Sequence, residues 1–155
     1  MIRRATPTEA ETLSALALRS KAYWGYDAAF MAACVEELTV SAIRIQTNPT
    51  YVLEENERVL GFYMLESPNG RDIELGFLFV EPDAIGQGYG KQLMRHAKAK
   101  ASELGYQAIL IQGDPNAEPF YRAMGGERIG SQPSASMPGR ELPSLRINLG
   151  SNQMS

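Results

Sequence analysis

At 155 residues with 44% hydrophobic content, the chain can bury one sizeable core, so a single domain over 1–150 with a frayed tail at 151–155 is expected. Fifteen Lys and Arg against 18 Asp and Glu leave a net charge of −3, without the basic block that would suit a nucleic acid. One cysteine excludes an internal disulfide, and one histidine leaves no zinc site or Cys-His catalytic pair, so no metal is expected.

No stretch approaches the roughly 18 apolar residues of a membrane span, and no apolar run follows Arg3 and Arg4 as it would in a secretory signal. A cytoplasmic protein without membrane contacts is the expectation. In chain order, Met1 to Ala5 reads as a short strand. Thr6-Pro7-Thr8-Glu9 announces a helix, with Thr6 as N-cap, Pro7 in the first turn and Glu9 reaching back. Ala10, Leu13, Leu16 and Ala17 give that helix its apolar face. Tyr23, Trp24 and Tyr26 surround Gly25 ahead of a second helix capped by Asp27, on which Phe30, Met31, Cys34, Val35 and Leu38 share a side. Thr39 to Pro49 reads as a helical turn or loop.

Thr50 to Glu55 and Arg58 to Leu65 are strands joined through Asn56, and Ser67-Pro68-Asn69-Gly70 carries the chemistry of a turn. The apolar run from Asp72 to Glu81, ended by Pro82, reads as a buried strand. A helix follows with Leu93, Ala97, Ala101 and Leu104 inward, cations between them and His96 on the surface; Gly105 stops it. Gln107 to Gln112 is a further strand, Glu118 to Met124 a short helix, and Glu127 to Gly130 the start of a strand. Ser131 to Pro143 reads as a loop, before Leu145, Ile147 and Leu149 alternate in a last strand. The pattern alone gives an α+β fold with a mixed sheet.

Between the long apolar strand and the long helix lie Gly86, Gly88 and Gly90. A strand, a glycine loop and a helix N-terminus together hold phosphate, because the backbone comes close and free N–H groups face the anion. A Walker loop does not fit, since Ile85 stands five before Gly90 and Gln92 follows Lys91. A dinucleotide fingerprint fails on the spacing of the glycines. The stretch resembles motif A of the GNAT N-acetyltransferase superfamily, Arg/Gln-x-x-Gly-x-Gly/Ala, with Gly88 and Gly90 on the glycine positions. Ile85 departs from the pattern, where members carry Gln or Arg. Asn116-Ala-Glu-Pro-Phe-Tyr121 resembles the family's motif B, although the spacing after Asn116 is one residue short.

The resemblance implies a mixed, mostly antiparallel sheet of six to seven strands with helices on both faces. It implies acetyl-CoA as cosubstrate, with its pyrophosphate on the loop from Ile85 and Gly86 to the amides of Gln87, Gly88, Tyr89, Gly90 and Lys91. Its pantetheine arm would lie along Leu78, Phe79 and Val80, and Asn116 would belong to the same binding site. The amide of Leu78 or Phe79 would stabilise the oxyanion. Glu74 stands at the position of a catalytic glutamate and would free the amine of its proton, directly or through water, and with Gly76 and Phe77 following it no second carboxylate is expected to back it up. Tyr121 would protonate the departing thiolate, while Phe120 packs. Tyr23, Trp24, Tyr26 and Arg140, with the loop from Ser134 to Arg140, are candidates for the acceptor site, a primary amine of a small molecule or peptide; whether the loop at 131–143 closes on substrate is left open. Acyl transfer to a hydroxyl and a non-catalytic acyl-CoA-binding sensor are the alternatives, and a homodimer is left open.

Overall fold

The computed structural model describes residues 1–134 and 137–149. These form seven strands and five α-helices. In chain order they are β1 (Ile2–Arg4), α1 (Ala10–Ala22), α2 (Ala28–Cys34), α3 (Ala42–Thr47), β2 (Thr50–Glu55), β3 (Arg58–Asn69) and β4 (Asp72–Val80), followed by α4 (Tyr89–Glu103), β5 (Ala108–Gln112), α5 (Glu118–Ala123), β6 (Gly126–Pro133) and β7 (Glu141–Asn148). The strands hydrogen-bond in the order β1-β2-β3-β4-β5-β7-β6. β4 and β5 run parallel, whereas β1–β2, β2–β3, β5–β7 and β6–β7 are antiparallel. The mixed α+β class is the expected one. The chain divides into two compact units, Met1–Met64 with Phe77–Leu93, and Leu65–Gly76 with the chain from Met94 onward.

In the first unit, Thr6 and Glu9 behave as their spacing requires. The Thr6 N–H donates to the Glu9 carboxylate at 2.9 Å, a 3₁₀ turn covers Pro7–Glu9, and α1 follows. Arg3 ties the cap down by pairing with Glu9 at 2.8 Å and with Glu54 at 2.7 Å. Leu13, Leu16 and Ala17 are buried along α1. Asp27 accepts from the Phe30 N–H at 2.8 Å and starts α2. Phe30, Cys34 and Leu38 are buried, but Val35 is 44% exposed. The stretch after Thr39 holds a true helix, α3, whose N-cap Ser41 accepts from the Arg44 N–H at 3.2 Å. Phe62 lies 5.8 Å from Phe77 and 6.1 Å from Phe79, ring centre to ring centre, and the Arg44 guanidinium stands 5.0 Å above Phe77.

The second unit corrects two expected boundaries. β3 does not turn at Ser67 but runs on to Asn69, and the chain reverses at Gly70. Ser67 stays within the strand at a φ of 52°. The expected loop from Ser131 to Pro143 loses both its ends to strands, because Ser131, Gln132 and Pro133 pair with Pro143, Leu142 and Glu141. Ladder bonding across β6 and β7 overrides a composition rich in turn residues. α4 buries Met94, Ala97 and Ala101 here, but Leu104 is 49% exposed, since the helix ends at Glu103 and the chain turns at Gly105. His96 is half-buried rather than on the surface, and burial, with Lys100 nearby, holds its imidazole below the usual range. Ile109 pairs with Ile147 and Ile111 with Leu145, all buried. The expected frayed tail at 151–155 lies outside the described residues.

Candidate active site

In the first unit the features for holding a ligand follow one another from β4 to α4. The β4–β5 ladder ends at Glu74 with Leu110, although β4 continues to Val80. Among the described residues, Leu78, Phe79 and Val80 have no ladder partner from β5. Gly61 sets how closely β3 approaches this stretch. A Cβ there would lie 2.9 Å from the Phe79 carbonyl oxygen and 2.8 Å from Leu93 Cδ1, so only a bare backbone fits.

The strand end is anchored before the loop begins. Glu81 is buried, and its carboxylate accepts both Arg19 Nε at 3.0 Å and a second N–H of the same guanidinium. The Glu81 N–H donates to the Leu60 carbonyl at 2.8 Å, and Arg58 donates to both oxygens of Asp83 at 2.9 Å. Gly86 and Gly88 then take φ of 89° and 86°, and a Cβ on either would meet nothing within 4 Å. These glycines are needed for their backbone angle, and they leave the loop's outer side open. The Gln92 N–H donates to the Gly88 carbonyl at 3.1 Å, which opens α4. The amides of Tyr89, Gly90 and Lys91 therefore have no acceptor within the helix. α4 has 15 residues, so its dipole adds to these donors. Ile85 is 40% exposed, and Gln87 and Lys91 are exposed as well.

In the second unit, Glu74 is half-buried, and burial, with the charge of Glu66 as the lesser cause, pushes its carboxyl above the usual range. The expectation that no second carboxylate stands near Glu74 is therefore wrong. Glu66 reaches it from β3, through space that a side chain at Gly76 would fill. Tyr121 is 8% exposed, whereas Phe120 is half-buried, so the packing residue of the pair is also the candidate acid. The Tyr121 ring lies against Gly113, where a Cβ would come within 3.2 Å of Cε2. Burial, then the charge of Asp114, pushes its hydroxyl well above the tyrosine range. That hydroxyl has no hydrogen-bond partner among the described residues.

Asp114 caps the 3₁₀ turn Pro115–Ala117 by accepting from the Asn116 N–H at 2.8 Å, and it pairs with Arg140 at 3.4 Å. Asn116 is exposed. The aromatic candidates divide. Tyr23 and Trp24 are 53% and 46% exposed and meet edge to face at 5.6 Å. Tyr26 instead stacks on Phe30 at 4.0 Å with the Lys21 ammonium 5.5 Å above it, which makes it part of the packing of α2. Glu66, Gly61, Glu81 and Asp114 were not singled out from the sequence. Glu81 and Asp114 stood beside Pro82 and Pro115 at the ends of predicted strands, a signal for anchoring that was available.

The profile described as Acetyltransferase (GNAT) family matches residues 16–125. The chain belongs to the GNAT acetyltransferase family. It is an acyltransferase by that membership, and solved GNAT structures share its fold. A GCN5-related N-acetyltransferase from Rhodopseudomonas palustris superimposes with a TM-score of 0.78 at 19% identity, over 96% of this chain and 94% of that one. The PaiA N-acetyltransferase from Thermoplasma acidophilum, solved in complex with coenzyme A, gives 0.75 at 17% identity over 96% and 98%. YncA from Salmonella typhimurium, a putative acetyltransferase solved with acetyl-CoA, gives 0.71 at 17% identity over 100% and 96%. No curated protein matches this GNAT chain by sequence. Among its described residues, no group of three or more His, Cys, Asp or Glu could hold a metal ion, and no helix is long and apolar enough to cross a membrane.

Proposed function

We propose that this GNAT protein moves an acetyl group from acetyl-CoA to the primary amine of a small molecule or peptide, by direct transfer while both are bound. One observation carries the reading: among the described residues, β4 runs on past its last β5 pairing at Glu74 and leads through two left-handed glycines into a helix whose first amides have no acceptor within the helix. The main chain of Leu78 to Val80 suits an extended pantetheine arm, added as a strand. The amides of Gln87 to Lys91 suit a pyrophosphate, and the open space at Gly86 and Gly88 leaves room for it.

Bound acetyl-CoA supplies the thioester, and the residues of the chain supply the rest. An amine with a pKa near 10 is only about 0.1% neutral at pH 7. Glu74 removes its proton, directly or through water, and its raised pKa makes it the stronger base. The N–H of Leu78 or Phe79 donates to the carbonyl oxygen as charge develops there, a contribution of about 3 kcal/mol. Tyr121 donates its hydroxyl proton to the departing sulfur as the C–S bond breaks and regains one from the acceptor nitrogen, which sheds its second proton as the amide forms; burial keeps the hydroxyl protonated before that step. Because Glu74 must be ionised, kcat/KM should fall on the acid side through a midpoint above that of an ordinary glutamate.

Calorimetric titration with acetyl-CoA tests the cofactor half. Wild type should bind with a micromolar Kd, and Ile85→Arg, which supplies the missing motif side chain, should bind more tightly. Gly88→Glu should abolish binding, read beside its melting curve because Gly88 has a φ of 86°. Folded wild type that gives no heat would overturn the reading. A panel of spermidine, an aminoglycoside, tryptamine and a short peptide, assayed by thiol release, tests the acceptor half.

A further inference from the structure

Gly76 carries no side chain, and Glu66 occupies the space. A Cβ built on Gly76 would lie 1.7 Å from Glu66 Oε2, 2.4 Å from its Cδ and 2.8 Å from its Cγ. Gly76 is two residues from Glu74 on β4, a separation of roughly 7 Å along the strand. The Glu66 side chain therefore lies across β4 beside the proposed base. We propose that Glu66 is a positioning residue for Glu74, laid over the bare backbone of Gly76 so that a second carboxylate stands beside the base and adds to the effect of burial on it. The proposal rests on the reading of Glu74 as the base.

A like charge disfavours the ionised form of its neighbour, so Glu66 and burial act on Glu74 in the same direction. Among the described residues, the charged groups in register with Glu74 on its own and the neighbouring strands are Asp72 and Arg146, which pair with each other. β5 contributes Ala108-Ile-Leu-Ile-Gln112, and Asp72 on β4 is held by Arg146 of β7 at 2.8 Å. In the proton transfer, one proton passes from the acceptor's ammonium to the Glu74 carboxylate, and Glu66 takes none. A general base of higher pKa removes that proton with more driving force.

Three variants of the full chain test this. Glu66→Gln removes the charge and keeps the shape. Gly76→Ala keeps the charge, but its methyl group displaces the far end of the flexible Glu66 side chain rather than the strand. Glu66→Asp keeps a charge on β3. The readouts are a ¹³C NMR titration of the Glu74 carboxyl and kcat/KM against pH with the best amine of the panel. Melting temperatures confirm that each variant is folded. In Glu66→Gln and Gly76→Ala the Glu74 midpoint should move to lower pH, with the acid limb of kcat/KM moving the same way. The plateau should fall by up to about tenfold, the Kd for acetyl-CoA should stay unchanged, and Glu66→Asp should keep part of the shift. An unmoved Glu74 midpoint in Glu66→Gln overturns the proposal, and one unmoved in Gly76→Ala overturns the part given to Gly76. Wild-type turnover in Glu74→Gln would instead sink the base reading, a failure that the titration separates from the first.

Discussion

A hydroxyl buried without a partner costs a fold on the order of 1–3 kcal/mol, and the Tyr121 hydroxyl, on a ring packed over Gly113, has none among the described residues. Packing alone would be served as well by phenylalanine. Tyr121→Phe should therefore melt at the same temperature as wild type or higher, bind acetyl-CoA equally, and lose turnover by about 10²–10⁴-fold. Unchanged turnover would reduce Tyr121 to a packing residue. The Phe-Tyr pair was legible as a motif, but which ring is buried was not, because Gly113 selects the Tyr121 side and lies on another element. Glu66 was illegible for a related reason. It meets Glu74 only across a hairpin whose turn lies at Gly70 rather than at Ser67.

Helix starts were readable because capping is local. Thr6 and Glu9 are three residues apart, and the bond between them forms wherever that segment turns. Arg3 could not be foreseen as a partner, but it decides the acid behaviour of the cap. Its hydrogen bonds hold the Glu9 carboxyl below the usual range. A depressed pKa gives stability that is complete above the unfolded value near 4.3 and is lost as pH falls through the folded one. Melting temperature should drop on acidification below about pH 5 more steeply in wild type than in Glu9→Gln, which should lose about 1 kcal/mol at neutral pH. Strand ends were less readable. β6 and β7 pair through Ser, Gln and Pro residues that read as loop, since ladder bonds depend on the partner strand. Close approach is also invisible to periodicity. Gly61→Ala would press on the Phe79 carbonyl and Leu93, which should cost about 1–3 kcal/mol and weaken acetyl-CoA binding, as a denaturation curve and calorimetry would detect.

For the molecule as a whole, family and fold were legible because the glycine loop fixed one element pair and chain order supplied the rest. The acceptor was not, since Tyr26 turned out to pack on Phe30 and Arg140 to pair with Asp114. Ligand binding offers a global test of the cofactor. At one hundred times Kd, acetyl-CoA should stabilise the folded state by about 2.7 kcal/mol. For a chain of 155 residues that is a rise in melting temperature of roughly 5–10 °C. Coenzyme A should give a similar rise, and no rise with either would point to a lost cofactor site.

Cys34 is the chain's one thiol and is 1% exposed. Dye chemistry that counts sulfhydryls will therefore see liberated coenzyme A against a silent background while the protein stays folded. Added denaturant should uncover a single equivalent per chain. The same reagent then serves as a turnover counter and as a clock for opening of the α2 region, with the burial of one side chain separating the two signals.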